Sequence, residues 1–244
     1  MSTPSEMRVT VARGDASDPS EMEFTVPVEA NQTVLDVVTW IQQHADPTLS
    51  YRFACRVGMC GSCAMMVNGE PRWTCRTHVS RVLDGDRLVL APLRNLPVIK
   101  DLVVDMNPFF DAWQRADAVH RPSRARADGV AAVDPESRPR IAADAAIECI
   151  NCAVCYAACD TVAGNPEYLG PAALQRAWTL INDERHSDPA ATLDAVTGSD
   201  GCLNCHSIGS CSHYCPVELR PLDAIAGLKR QVVRRALGKG LPCD

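Results

Sequence analysis

Cys55, Cys60 and Cys63 stand in the run CRVGMCGSC, and Cys75 follows after eleven intervening residues. Four residues and then two between successive thiols, with a distant fourth, is the plant-type spacing for a [2Fe–2S] cluster. The glycines belong to the same chemistry. Gly58 and Gly61 can take backbone angles that let a tightly wrapped loop turn amide N–H groups toward the sulfides. Such hydrogen bonds favour the reduced, more negative cluster and raise its potential. The plainer alternative is a structural zinc site, but zinc usually takes two separated pairs of ligands with two to four residues inside each pair, which this run does not offer.

A second group, Cys149, Cys152, Cys155 and Cys159, stands in CINCAVCYAAC, and Cys215-Pro216 lies far downstream. This is the bacterial ferredoxin run, in which three cysteines hold one cubane and the fourth faces another cluster. The expectation is a [4Fe–4S] cluster on Cys149, Cys152, Cys155 and Cys215. A third cluster then falls to Cys159 with Cys205 and Cys211, the last two in CHSIGSC. Between them, where a regular ferredoxin has another thiolate, stands Ile208, whose apolar side chain cannot ligate iron. Three protein ligands imply a [3Fe–4S] cluster, the natural terminal acceptor of the three. One alternative stays open: Cys202, three residues before Cys205, can supply a fourth thiolate if its loop folds inward. Otherwise Cys202 and Cys243 are free thiols.

These thiols need elements to position them. Arg8 to Arg13 reads as a strand, and Met22, Phe24, Val26 and Val28 alternate with polar residues or proline as in a half-buried partner, so the two should form a hairpin. Asn31 or Thr33 can cap a helix whose apolar positions Val34, Val37, Val38 and Ile41 fall at helical spacing. Ala64 to Val67 reads as a strand ending in the Asn68-Gly69 turn, and Arg87 to Ala91 as a strand after the Asp84-Gly85-Asp86 turn. From Pro92 onward strand signals fade, and Ala-rich helical stretches appear around 141 to 158, 171 to 185 and 222 to 237. The predicted class is α+β: an N-terminal β-grasp plant-type ferredoxin domain over 1–105, an irregular connector over 106–140, and an all-α bacterial-ferredoxin-like domain over 141–244.

Composition narrows the function. An odd count of thirteen cysteines, with no secretory signal in the opening MSTPSEMRVT, argues against a disulfide scaffold. A net charge of −6 and pI near 5.5 argue against a nucleic-acid partner. No run approaches the roughly eighteen apolar residues of a membrane span, so work at a membrane would need another chain as anchor. The tail from Val217 is the exception to the acidic balance, with six basic residues (Arg220, Lys229, Arg230, Arg234, Arg235, Lys239) against three acidic, a solvated helix face or a docking surface.

In this order, CRVGMCGSC, the connector PLRNLPVIKDLVVDM, CINCAVCYAAC with NPEYLGPAAL, and CHSIGSCSHYCP make the chain resemble the iron–sulfur subunit of the succinate:quinone oxidoreductase family, succinate dehydrogenases and fumarate reductases. NPEYLGPAAL is closer to the fumarate-reductase arm and the histidine after Cys205 to the succinate-dehydrogenase arm. The resemblance implies a relay without substrate chemistry of its own: a flavoprotein partner holds FAD, a hydrophobic anchor holds this subunit on the cytoplasmic face of a bacterial membrane, and electrons pass through the three clusters to or from quinone. It also implies that the N-terminal domain faces the flavoprotein and that His206, Ile208 and Lys229 lie on the quinone-proximal surface, where Lys229 could stabilise a reduced quinone oxygen. Their plainer readings are a loop hydrogen bond, packing and solvation. Asp160 stands where the family usually has proline, and Gly164 where ubiquinone users often have tryptophan, which suggests a pocket of different shape. The rival function is the iron–sulfur subunit of another flavin-linked system, such as a thiol-linked fumarate reductase or a heterodisulfide-reductase-like complex, whose members tend to carry extra cysteine-rich domains or two complete ferredoxin motifs.

Overall fold

A computed structural model describes residues Ser5 to Gly238; the expected free thiol Cys243 and the basic Lys239 lie outside the described residues. The chain divides into two compact units, one running up to Met106 and including Ile150–Ala158, the other made of Asn107–Cys149 and the chain from Cys159 onward.

The first unit is built on a mixed sheet. Strands β1 (Glu6–Gly14) and β2 (Pro19–Pro27) pair antiparallel as the expected hairpin. Strands β3 (Ala64–Val67), β4 (Glu70–Trp73) and β5 (Arg87–Ala91) complete the order β2-β1-β5-β3-β4, in which β1 and β5 run parallel. Helix α1 (Val34–His44) begins at Thr33, because Thr33 and Asp36 cap each other's backbone amides while Asn31 takes a left-handed turn at φ 59°. It buries Val34, Val37, Val38 and Ile41 against Val9, Val11, Val26, Leu88 and Leu90, a dry β-grasp core. The β2 alternation is only partly buried: Phe24 and Val26 turn inward, while Met22, nearer the turn, is exposed. Asn68 and Gly69 both have positive φ, which gives β3–β4 a two-residue turn of the hairpin hand. The sequence reading missed β4, because Pro71 lies within it; at the sheet edge a missing N–H costs no ladder bond. It also missed a short β6–β7 pair (Val98–Lys100 with Val103–Val104) and the turn of helix α2 (Val79–Val82).

The second unit is helical, as expected. Helix α3 (Asn107–Arg115) occupies part of the expected irregular connector, and α4 (Arg138–Ile147) starts inside it, capped by Ser137 with Pro139 in its first turn. The helical stretch expected over 141–158 is broken. After α4 the chain opens into the cysteine loop and returns only as the single turns α5 (Val154–Ala157) and α6 (Asp160–Gly164), of which α5 belongs to the first unit. Helix α7 (Gly170–Ile181) ends earlier than expected, where Asn182 and Asp183 hydrogen-bond back to its end. Helices α8 (Pro189–Ala195) and α9 (Ser210–His213) follow, and α10 (Pro221–Ala236) falls where the Ala-rich pattern placed it. Gly227 lets α10 lie directly on Trp178 of α7, where a methyl group would come within 2.5 Å of the indole ring. The buried Arg140 guanidinium pairs with Asp144, Asp183 and Glu184, so its charge is not left alone inside the bundle.

Candidate metal centres

The first thiol set is a loop closed on itself. Between Tyr51 and β3 the backbone takes left-handed turns at Arg56, Gly58 and Gly61. Two of these are the expected glycines; Arg56 carried no signal, since its side chain says nothing of φ. The turns aim amides at sulfur. Cys55 Sγ accepts from Met59 N–H at 3.3 Å and Val57 N–H at 3.5 Å, Cys60 Sγ accepts from Cys55 N–H at 3.5 Å, and Cys63 Sγ accepts from Cys75 N–H at 3.5 Å. Oriented amides of this kind stabilise negative sulfur. The Ser62 hydroxyl, with the Cys55 amide, draws the Cys60 thiol down to about 6, whereas burial and the neighbouring Cys63 push Cys75 up to about 11. Cys63 sits at the foot of β3 and Cys75 in the helical turn after β4, so the sheet holds the buried half of the set while the loop supplies the rest.

Gly61 also has a steric role. A Cβ there would come within 2.6–3.0 Å of Cβ, Cα and N of Cys152, so the first loop lies directly against the second motif. Asn95 fixes the same neighbour, donating from Nδ2 to the Tyr156 carbonyl at 2.9 Å. These contacts explain why Ile150–Ala158 folds with the first unit. Within the second motif Asn151 and Ala153 take left-handed φ, and Cys155 is buried on α5, with Cys152 half-buried. Cys149 and Cys215, the other two thiols expected for the second centre, are half-buried at the end of α4 and after α9.

The third set lies in the second unit. Cys159 precedes α6, Cys205 follows a helical turn over Cys202–Asn204, and Cys211 is buried on α9. Burial raises the thiol of Cys211 to about 11 and that of Cys159 in the same direction. The three thiols act on one another: Cys211 feels Cys159 and Cys205, and Cys159 feels Cys205. Cys202 is fully buried, and its thiol is raised by burial against the pull of the Lys229 ammonium. Lys229 Nζ donates to the Cys205 carbonyl at 2.6 Å. His206 and Ile208 are exposed, Ile208 at 60%. Asp160 opens α6 and Gly164 closes it.

The donor sets fit iron–sulfur cores. Sulfur is the common donor, amides are already aimed at the first set, and the thiols of the third act on the buried hydroxyl of Tyr168, which lacks a partner by strict hydrogen-bond geometry. Among the described residues no three His, Cys, Asp or Glu converge as ligands of a lone ion, and a core of several irons and sulfides holds its thiolates wider apart than one zinc does.

A β-grasp unit with a looped thiol set, followed by a helical unit that carries further cysteines, is the architecture of an iron–sulfur electron carrier. Residues 7–111 match the family model of a 2Fe-2S iron-sulfur cluster binding domain, and residues 148–220 that of a 4Fe-4S dicluster domain. The chain is 37% identical over 227 residues to the fumarate reductase iron-sulfur subunit of Mycobacterium tuberculosis, covering 91% of this chain and 90% of that one. It is 35% identical to the fumarate reductase iron-sulfur subunit of Haemophilus influenzae, with 85% and 84% covered. It is 36% identical to a mitochondrial succinate dehydrogenase iron-sulfur subunit of rice, Oryza sativa, with 81% and 70% covered. In fold it is similar to a chain of the Mycobacterium smegmatis Sdh1 complex, with a TM-score of 0.83 at 24% identity over 96% of this chain and 98% of that one. The chain belongs to the iron–sulfur subunits of the fumarate reductase and succinate dehydrogenase family. It is therefore an electron-transfer subunit of a succinate:quinone oxidoreductase complex, working beside other subunits. Among the described residues no helix is long and apolar enough to cross a membrane.

Proposed function

We propose that the chain holds a [2Fe–2S] cluster on Cys55, Cys60, Cys63 and Cys75, a [4Fe–4S] cluster on Cys149, Cys152, Cys155 and Cys215, and a [3Fe–4S] cluster on Cys159, Cys205 and Cys211. The clusters supply one-electron carriers. Through them the subunit connects the FAD of a flavoprotein partner to quinone beside a hydrophobic anchor, on the cytoplasmic face of a bacterial membrane. The exposed apolar side chains of Phe53, Val57 and Met59 around the first loop support a protein partner there, since such residues lose less by being covered than by facing water. Leu203 and Ile208 near the third set, with Val233 on α10 and Leu237 just past it, are likewise exposed and suit an apolar anchor or quinone. By the same reading His206 and Ile208 meet the quinone from the surface, while Lys229, bonded to the Cys205 carbonyl, places positive charge behind the third centre.

The observation that carries this reading is the mutual grouping of three thiols, Cys159, Cys205 and Cys211, beside an exposed Ile208 that offers iron no fourth ligand. Electron paramagnetic resonance of the air-oxidised complex tests it. A near-isotropic signal of an oxidised three-iron centre is expected, with about nine irons per chain. Ile208→Cys is expected to turn that signal into a cubane's and to slow quinone reduction. An intact complex that lacks the signal makes Cys202 the fourth ligand, and zinc in place of iron ends the proposal.

A further inference from the structure

Tyr168 lies between α6 and α7 in the turn that brings the chain back from Cys159. Its backbone is pinned on both sides: its own N–H donates to the Asn165 carbonyl at 3.0 Å, and that of Leu169 to the Asp200 carbonyl at 2.9 Å. The side chain is among the largest fully buried ones, at 1% exposure, yet its hydroxyl has no hydrogen-bond partner. An orphaned buried hydroxyl is destabilising, a cost that a phenylalanine of the same shape would not carry. What the hydroxyl does face is sulfur. The thiols of Cys205, Cys159 and Cys211 all act on it, Cys205 most strongly and with a loose hydrogen-bonding interaction of its own, though none is a partner by strict hydrogen-bond geometry. A buried phenol close enough to feel three candidate cluster ligands finds its acceptor wherever a bound core carries negative sulfur.

We propose that Tyr168 donates its hydroxyl hydrogen bond to sulfur of the third centre, at the Cys205 thiolate or an adjacent sulfide, and thereby raises that centre's potential. The inference rests on the assignment of that centre to Cys159, Cys205 and Cys211. A phenol keeps its proton at neutral pH, so the group is available as a hydrogen-bond donor. The bond strengthens as the core gains an electron, so it favours the reduced form. Tyr168 thus sets the energy of the terminal step without touching quinone.

The test is a redox titration of the whole complex, followed by the paramagnetic signal of the third centre. Tyr168→Phe is expected to lower its midpoint by on the order of tenfold in electron affinity, about 59 mV for one electron, with the other two centres unmoved. Replacing Tyr168 with 3-fluorotyrosine, a more acidic phenol and a stronger donor, is expected to raise it. A midpoint unchanged in both proteins, or raised in the phenylalanine variant, overturns the inference. Should the phenylalanine variant lose the centre, the fluorinated protein alone decides, and an unmoved midpoint there overturns it. Absence of the third signal from the unaltered complex is a different failure, that of the centre's assignment.

Discussion

The first and third thiol sets both meet sulfur with backbone donors, but they gather their parts from very different lengths of chain. The first gathers its sulfurs from 21 residues of one chain segment, Cys55 to Cys75, and lines them with amides from its own loop, so the negative charge of the cluster is met by backbone. The third brings Cys159 to Cys205 and Cys211 across more than forty residues of chain. Its donors come from separate elements: Ser207 N–H reaches Cys205 Sγ at 3.4 Å, Thr161 and Ser212 serve Cys159 and Cys211, and the Lys229 ammonium holds the Cys205 carbonyl. A loop that wraps its own cluster depends on backbone angles. A set assembled by packing depends on what the surrounding elements happen to bring.

That contrast breaks most sharply at glycine. Gly61→Ala puts a methyl group against the Cys152 backbone at a φ of 70°, and it is expected to abolish the [2Fe–2S] signal and lower the iron content. Gly209→Ala, in the third set's loop, meets only the Leu222 side chain at 3.6 Å. It is expected to keep all three signals and to lose about 1 kcal/mol in denaturant unfolding from its left-handed backbone alone.

A middle-sized effect compares the two buried carboxylates. Asp101 accepts from Ser50 N–H, Gly14 N–H and Arg13 Nε at 2.8–3.0 Å, tying three segments of the first unit together. Asp183 accepts from Arg185 and Arg140 in the second unit. Burial alone would raise both carboxyl groups, but these donors outweigh it and hold both below the ordinary range. A carboxylate depressed in the folded state stabilises above its unfolded value and ceases to do so as pH falls below it. Asp101→Asn is therefore expected to cost about 2–3 kcal/mol at pH 7. Asp183→Asn should cost less, because Arg140 keeps Asp144 and Glu184. Unfolding followed across pH should show each gap narrowing below about pH 4.

The smallest effect sharpens the comparison at a single hydroxyl. Ser62→Ala removes the hydrogen bond that draws down Cys60, and the [2Fe–2S] midpoint is expected to fall by on the order of fivefold in electron affinity, roughly 40 mV for one electron. A titration showing no change would mean that the exposed serine yields its place to water.

Much of this was legible beforehand for a physical reason. Period-two alternation, the Thr33 cap and the Asn-Gly turn are local signals, and they found β1, β2, α1 and β3 because each element answers to its own residues. Cysteine spacing is equally local in the first loop, where chain connectivity limits how far apart the sulfurs can lie. What failed was also particular. Pro71 hid β4, Arg56 and Ala153 gave no hint of their left-handed angles, and the alanines after Ile147 continued a helical pattern through a stretch that must open around Cys149 and Cys152.

By itself, then, the sequence determined the order of the cysteines, the class of cluster each spacing suits and the absence of a thiol at position 208, since these are properties of residue type and separation along the chain. Only the tertiary structure decided that Gly61 abuts Cys152, that Lys229 bonds the Cys205 carbonyl and that Tyr168 turns an unmatched hydroxyl toward three sulfurs. Such contacts join residues tens of positions apart, and it is the packing of whole helices and strands, which no local pattern encodes, that fixes them.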